Sequence, residues 1–185
     1  MYLGFPEKGL EIGGSGIFAL FRISLNIISQ RIGIKGSFPV TDGRDMEKRD
    51  VVLACMEAAR NESYQPVQIQ KLIFLFERKT LKRKVFNFVP FDFGPFDPEV
   101  YKILEELSLE GIVEIIGQPF TKDRFYKLKP EGQEIAKSAF NKLEPNNREY
   151  LLILSDWVRQ MPFAQLVGAI YSEFPEMQKN SVFRG

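Results

Sequence analysis

Two aspartates flank a Gly-Pro turn in this chain, Asp92 and Asp97 on either side of Gly94-Pro95. With Lys71 they are the grouping that comes nearest to a catalytic or metal-binding centre. A carboxylate pair held by a rigid turn can in principle coordinate a divalent ion and activate water, but a nuclease-type centre needs more converging acids than can be placed here. Each aspartate also has a structural role open to it: Asp97 precedes Pro98 as a helix N-cap, and Asp92 is a turn former. Histidine is absent. That removes His-based triads, His acid–base catalysis and the commonest zinc and iron ligand sets. The single cysteine, Cys55, lies in the apolar run Val51-Val52-Leu53-Ala54-Cys55-Met56 with nothing basic beside it, which reads as a buried structural thiol. One cysteine excludes an internal disulfide and any CxxC site, and fits a reducing, cytoplasmic setting. Gly13-Gly14-Ser15-Gly16 lacks both the Lys-Ser/Thr ending and the preceding strand of a phosphate loop. The residue types thus predict a protein that is not an enzyme and needs no cofactor or metal.

Binding chemistry is better represented. Lys and Arg number 25 against 24 Asp and Glu, a net charge of +1, so the charges matter by segment rather than in sum. The run Arg78-Lys79-Thr80-Leu81-Lys82-Arg83-Lys84 carries five cations in seven residues. It is suited to phosphates, or else to a solvated helix end where cations favour the macrodipole. A second basic group, Lys122, Arg124, Lys127 and Lys129 against Asp123, lies in a segment read below as a β-hairpin. Lys127 and Lys129, two apart, are expected on one water-facing side of its strand. Between these, Asp97, Glu99, Glu105, Glu106 and Glu110 against Lys102 give a helix a net charge of −4. Four net negatives repel the phosphates of a DNA groove and favour a protein partner with a basic surface. Asp97, Glu99, Lys102, Glu105 and Glu106 are the candidate protein-binding residues. Arg78, Lys79, Lys82, Arg83, Lys84, Lys122, Arg124 and Lys127 are the candidate phosphate-binding ones.

The elements that must position these groups are legible from residue 46 onward. Residues 47–60 read as a helix apolar through its middle, hence central to the core. Pro66 opens a second, whose Ile69, Leu72, Ile73 and Phe76 form one buried stripe. Residues 86–96 hold Phe86, Phe88, Phe91, Phe93 and Phe96 among Pro90, Gly94 and Pro95, predicting a short strand and a rigid turn pinned on the core, with Phe93 and Phe96 as buried anchors. A third helix runs from Pro98 to about Glu110, ended by Gly111. Residues 112–116 and 124–129 pair as a β-hairpin around the polar turn 117–123. Three further helices follow, at about 130–143, 146–161 and 163–174. The fourth turns Ala136, Ala139, Phe140 and Leu143 inward; the fifth Tyr150, Ile153, Leu154, Trp157, Val158 and Met161; the sixth Leu166, Val167, Ile170 and Phe174. The fold expected is α+β and mostly helical: a winged-helix-like core of three helices plus a β-hairpin, with C-terminal helices.

Residues 1–45 differ. They hold eight of the fourteen glycines, and their one apolar stretch, 17–28, is too short for a bilayer and interrupted by Arg22. No basic leader or small-residue cleavage site accompanies it. The folded unit is expected to begin at Met46 and run to 185 as one domain. Residues 1–45 are then a poorly structured or loosely docked extension, or even foreign to the native product; the alternative is an N-terminal strand and helix that dock on the domain.

The segments Gln70-Lys71-Leu72-Ile73-Phe74 and Gly94-Pro95-Phe96-Asp97-Pro98-Glu99-Val100-Tyr101, with the helix ending Gly111-Ile112-Val113, resemble the SocA/Panacea antitoxin domain and the related YwgA-type winged-helix proteins over about residues 47–128. The match is moderately specific through GPF-x-x-EVY and weak elsewhere. Residues 169–176 also look like the "IYxxYPE" ending of uncharacterised members. Phe93 stands where those families carry tyrosine before Gly-Pro, and the tryptophan often found ahead of it is missing. The resemblance implies a winged-helix fold and neutralisation or delivery of a toxin by protein contact. The expected function is therefore a macromolecule-binding module, antitoxin-like or regulatory, with a toxin-like protein partner. The alternative is a DNA-binding transcriptional regulator that uses wing and basic loop. No membrane partner is expected, and a homodimer is compatible with either reading.

Overall fold

The computed structural model describes residues 46–183 except residues 82, 120 and 122. The expectations for residues 1–45, Lys82 and Lys122 lie outside the described residues. In chain order the elements are α1 (Lys48–Glu57), β1 (Ser63–Tyr64), α2 (Pro66–Thr80), β2 (Val89–Phe91), β3 (Gly94–Phe96), α3 (Pro98–Leu109), β4 (Val113–Ile116), β5 (Phe125–Leu128), α4 (Gln133–Asn141), α5 (Pro145–Gln160) and α6 (Phe163–Glu173). Short 3-10 turns at Pro130–Gly132 and Pro175–Gln178 lead into α4 and follow α6. The architecture is α+β, mostly helical, with a small antiparallel sheet. No helix among the described residues is long and apolar enough to cross a membrane.

Local chemistry sets the helix ends. Pro66, Pro98 and Pro145 each take a first-turn position, where the missing N–H costs nothing. After α3, Gly111 at φ +76° lets the chain close a Schellman motif. Its N–H donates to the Ser108 carbonyl at 3.0 Å, and that of Ile112 to the Leu107 carbonyl at 2.9 Å. Such a left-handed residue is strained for any side chain with a Cβ. In α1, residues Val51 through Met56 are all buried. That helix packs chiefly on α4 and also on α2, α3 and β5, an apolar rod at the centre of the core.

The sheet holds a strand that residue pattern did not reveal. Ser63–Tyr64 pairs antiparallel with β5, giving the order β1-β5-β4. Tyr64 is buried there, and its hydroxyl donates to the Cys55 carbonyl at 3.0 Å and lies 2.6 Å from Ser155 Oγ. Ser155 in turn donates to the Ala58 carbonyl at 2.9 Å, so one buried polar knot ties the end of α1 to α5. In α5, Ile153, Trp157 and Met161 are only half-buried, while Asn147, Leu151 and Ser155 are fully inside. The helix is rotated from the expected face by that knot.

Candidate protein-docking site

Of the five buried polar side chains of α2, three hold the segment that follows it. Gln70 bonds the backbone of Asp97 both ways: its Nε2 donates to the carbonyl at 2.9 Å, and its Oε1 accepts from the N–H at 3.1 Å. Lys71 is buried and its Nζ donates to the Pro95 carbonyl at 3.0 Å. Burial lowers its pKa from the ordinary 10.5 to about 7. Glu77 accepts from the N–H groups of Val85 and Phe86 at 2.9 and 2.7 Å. Its burial pushes the carboxyl pKa up, opposed by those two bonds. Uncompensated polar groups at such depth would cost about 1–3 kcal/mol each, so the pairing holds loop and helix together.

The segment so pinned is a two-stranded hairpin, β2 with β3, in the register Val89↔Phe96, Pro90↔Pro95 and Phe91↔Gly94. Two prolines face each other where neither has an N–H to give, and the Pro95 carbonyl accepts from Lys71 instead. Gly94, at φ +96°, is closely approached: a Cβ there would lie 3.2 Å from Tyr171 Cε1. Phe86 and Phe88 are buried, Phe88 edge-on to Phe74 at 5.4 Å. The expectation that Phe93 and Phe96 are buried anchors is corrected. Phe93 is 41% exposed and Phe96 half-buried, with Phe91 stacked on it at 5.0 Å and 47% exposed. Phe93 points across to Phe163 of α6, itself 40% exposed, at 5.1 Å. The tight Asp92-Phe93 turn carries the ring out of the core because the polar pins hold the hairpin by its backbone, leaving its ring faces outward.

The charged candidates divide. Asp97 is 4% exposed: its Oδ1 accepts from the Glu99 N–H at 2.9 Å and its Oδ2 from the Asn87 N–H at 2.6 Å. It is an N-cap and a loop clamp, its two oxygens taken by backbone N–H groups, while Lys71 is engaged with the Pro95 carbonyl. Among the described residues no group of three or more His, Cys, Asp or Glu is placed to hold a metal ion. Arg124 is likewise buried, its Nε donating to the Tyr126 hydroxyl at 3.0 Å and its guanidinium 3.4 Å from Glu105. The expectation that it faces phosphate is corrected by that pairing. Lys79 is half-buried in an ion pair with Glu173 at 2.7 Å. Arg78, Arg83, Lys84 and Lys127 are exposed, whereas Lys129 is half-buried rather than beside Lys127 in solvent.

On α3, Lys102, Glu105 and Glu106 are exposed and Glu99 is half-buried. Arg49 grips Glu110 through both guanidinium nitrogens, holding its carboxyl below the usual range. With Arg49 and Arg124 added, the helix's net −4 falls to −2 locally. Cys55 is fully buried, and burial pushes its thiol pKa up.

No family model matches this chain. No curated protein matches it either. Among solved structures, one from work on regulation of DNA binding of Bordetella bronchiseptica BpsR by 6-hydroxynicotinic acid is similar at 13% identity, over 85% of this chain and 100% of that one, with a TM-score of 0.28. A superposition that loose carries neither fold nor function across. The residues that sequence reasoning missed, Gln70, Glu77 and the role of Lys71, left one trace: polar side chains at positions where α2 is otherwise buried.

Proposed function

We propose that this chain is a non-catalytic module on a winged-helix-like core that works by binding another protein, as an antitoxin-like or regulatory factor. The order α1-β1-α2-α3-β4-β5, with β1 paired beside the final hairpin, supports the winged-helix reading; β2 and β3 are then an insertion ahead of α3. The observation that carries the function is a set of exposed rings, Phe91 and Phe93 on the pinned hairpin with Phe163 of α6 edge-on to Phe93. Exposed apolar clusters of this kind mark interaction surfaces, and a rigidly held ring loses little freedom on binding. Arg78, Arg83, Lys84 and Lys127, all solvent-facing, favour the alternative of a DNA-binding regulator. The exposed acids Glu105 and Glu106 on α3 oppose it.

Co-purification with a small protein encoded beside this one, comparing wild type with Phe91→Ser/Phe93→Ser, tests the reading; the double variant is expected to lose the partner. Submicromolar duplex-DNA binding that weakens about tenfold or more between 50 and 200 mM salt, and is abolished by Arg83→Glu/Lys84→Glu, would replace it with the DNA reading.

A further inference from the structure

Residues 180–183 follow a turn and lie against the β2 side of the β2–β3 hairpin, joined to it by one backbone bond and two side-chain bonds. Asn180 Nδ2 donates to the Pro90 carbonyl at 3.1 Å. The Val182 N–H donates to the Asp92 carbonyl at 3.0 Å. Ser181 is the hub: its Oγ donates to the same Asp92 carbonyl at 3.1 Å and receives the Tyr171 hydroxyl at 2.6 Å. The Phe183 N–H also reaches Ser181 Oγ at 3.0 Å. The Phe183 ring then packs against α6, 5.9 Å from Phe163 and 6.5 Å from Tyr171.

Two observations say this seat is shared. Val182 is 57% exposed, so its bond lies at the surface, where local opening costs least. Phe93 and Phe163 also stay two-fifths exposed with the segment in place. A ligand carrying a further apolar residue would cover surface that residues 180–183 leave wet.

We propose that this hairpin edge is a peptide-docking groove, filled in cis by residues 180–183 and opened to an extended segment of a partner protein that carries a serine or threonine followed two residues later by an aromatic. The Pro90 and Asp92 carbonyls take the donors of the segment, while Tyr171 selects the hydroxyl and the Phe163 ring the aromatic. The inference rests on the protein-binding reading above and names the chemistry of its partner.

A fluorescent Lys-Asn-Ser-Val-Phe peptide, titrated by anisotropy into the full chain, tests it. Ser181→Ala/Phe183→Ala, which empties the groove, should bind the peptide at least about tenfold tighter than wild type, because the closed fraction divides apparent affinity. Val182→Pro, which removes the backbone donor and restricts the segment while leaving the Ser181 and Phe183 side chains in place, should do the same, covering the case in which the double variant misfolds. Replacing the peptide's Ser by Ala should weaken binding. Equal affinity for wild type and both variants, or none to either variant at about 1 mM, overturns the proposal. So does a wild-type dimer that the double variant abolishes, which would make a second copy the occupant by segment exchange. If the peptide fails while Phe91→Ser/Phe93→Ser still releases the co-purified partner, the groove falls and the protein-binding reading stands.

Discussion

Lys71 should make stability rise with pH through neutrality. Its amine is buried, donates to the Pro95 carbonyl, and has a folded-state pKa lowered from 10.5 to about 7 by burial. Between those two values the unfolded chain holds a proton that the folded one has released, so unfolding becomes harder as pH rises. The limiting slope is about 1.4 kcal/mol per pH unit. From pH 6 to 8.5 the gain sums to about 2 kcal/mol, or about 4–8 °C in midpoint for a chain of this size. Opposing groups act elsewhere. Glu57 and Glu77, raised by burial, lower stability as pH climbs above the ordinary carboxyl range. Cys55, also raised by burial, begins to do so in mild base as the unfolded thiol ionises, and Tyr64 and Tyr150 do so at higher pH, where the unfolded phenols ionise; all three are common to wild type and a Lys71 variant. Lys71→Met keeps the buried stem without the titration, so urea midpoints of wild type minus variant isolate the effect. A difference profile that is flat from pH 6 to 8.5, or that falls, would refute the reasoning.

Phe93→Ala should cost under about 1.5 kcal/mol by chemical denaturation, whereas Phe74→Ala should cost about 3–5 kcal/mol, since only Phe74 is fully enclosed. A Phe93 variant as damaged as the Phe74 one would put that ring in the core after all. Asp97→Ala removes an N-cap and the acceptor for the Asn87 N–H, and should lose about 2–4 kcal/mol. Asp97→Asn, which retains one acceptor oxygen, should fall between that and wild type; equal melting of all three would dismiss the clamp. At Gly111 a Cβ has nothing within 4 Å, so Gly111→Ala should show backbone strain alone, about 1–2 kcal/mol. A larger loss would mean crowding there.

Much of the helical framework could be read along the chain because its signals are short-range. Pro66, Asp97-Pro98 and Gly111 act on groups within four residues, and they start or stop helices where the residue types require. The apolar run through Cys55 likewise dictated a central helix, and the 112–129 hairpin followed from alternation and a polar turn. Long-range partners decided the rest. A two-residue strand such as Ser63–Tyr64 has no period to read and exists only because β5 offers it an edge. Arg124 reads as a wing cation until Tyr126 and Glu105 enclose it, nineteen residues of separation apart for the acid. Phe93 resembles its buried neighbours in composition, yet it lies exposed on a hairpin whose end is held by long-range partners: Lys71, 24 residues away, takes the Pro95 carbonyl, and Gln70, 27 away, takes the backbone of Asp97 just beyond it. A residue's type states its preference for being inside; whether other elements arrive to cover it is a property of the packed chain alone.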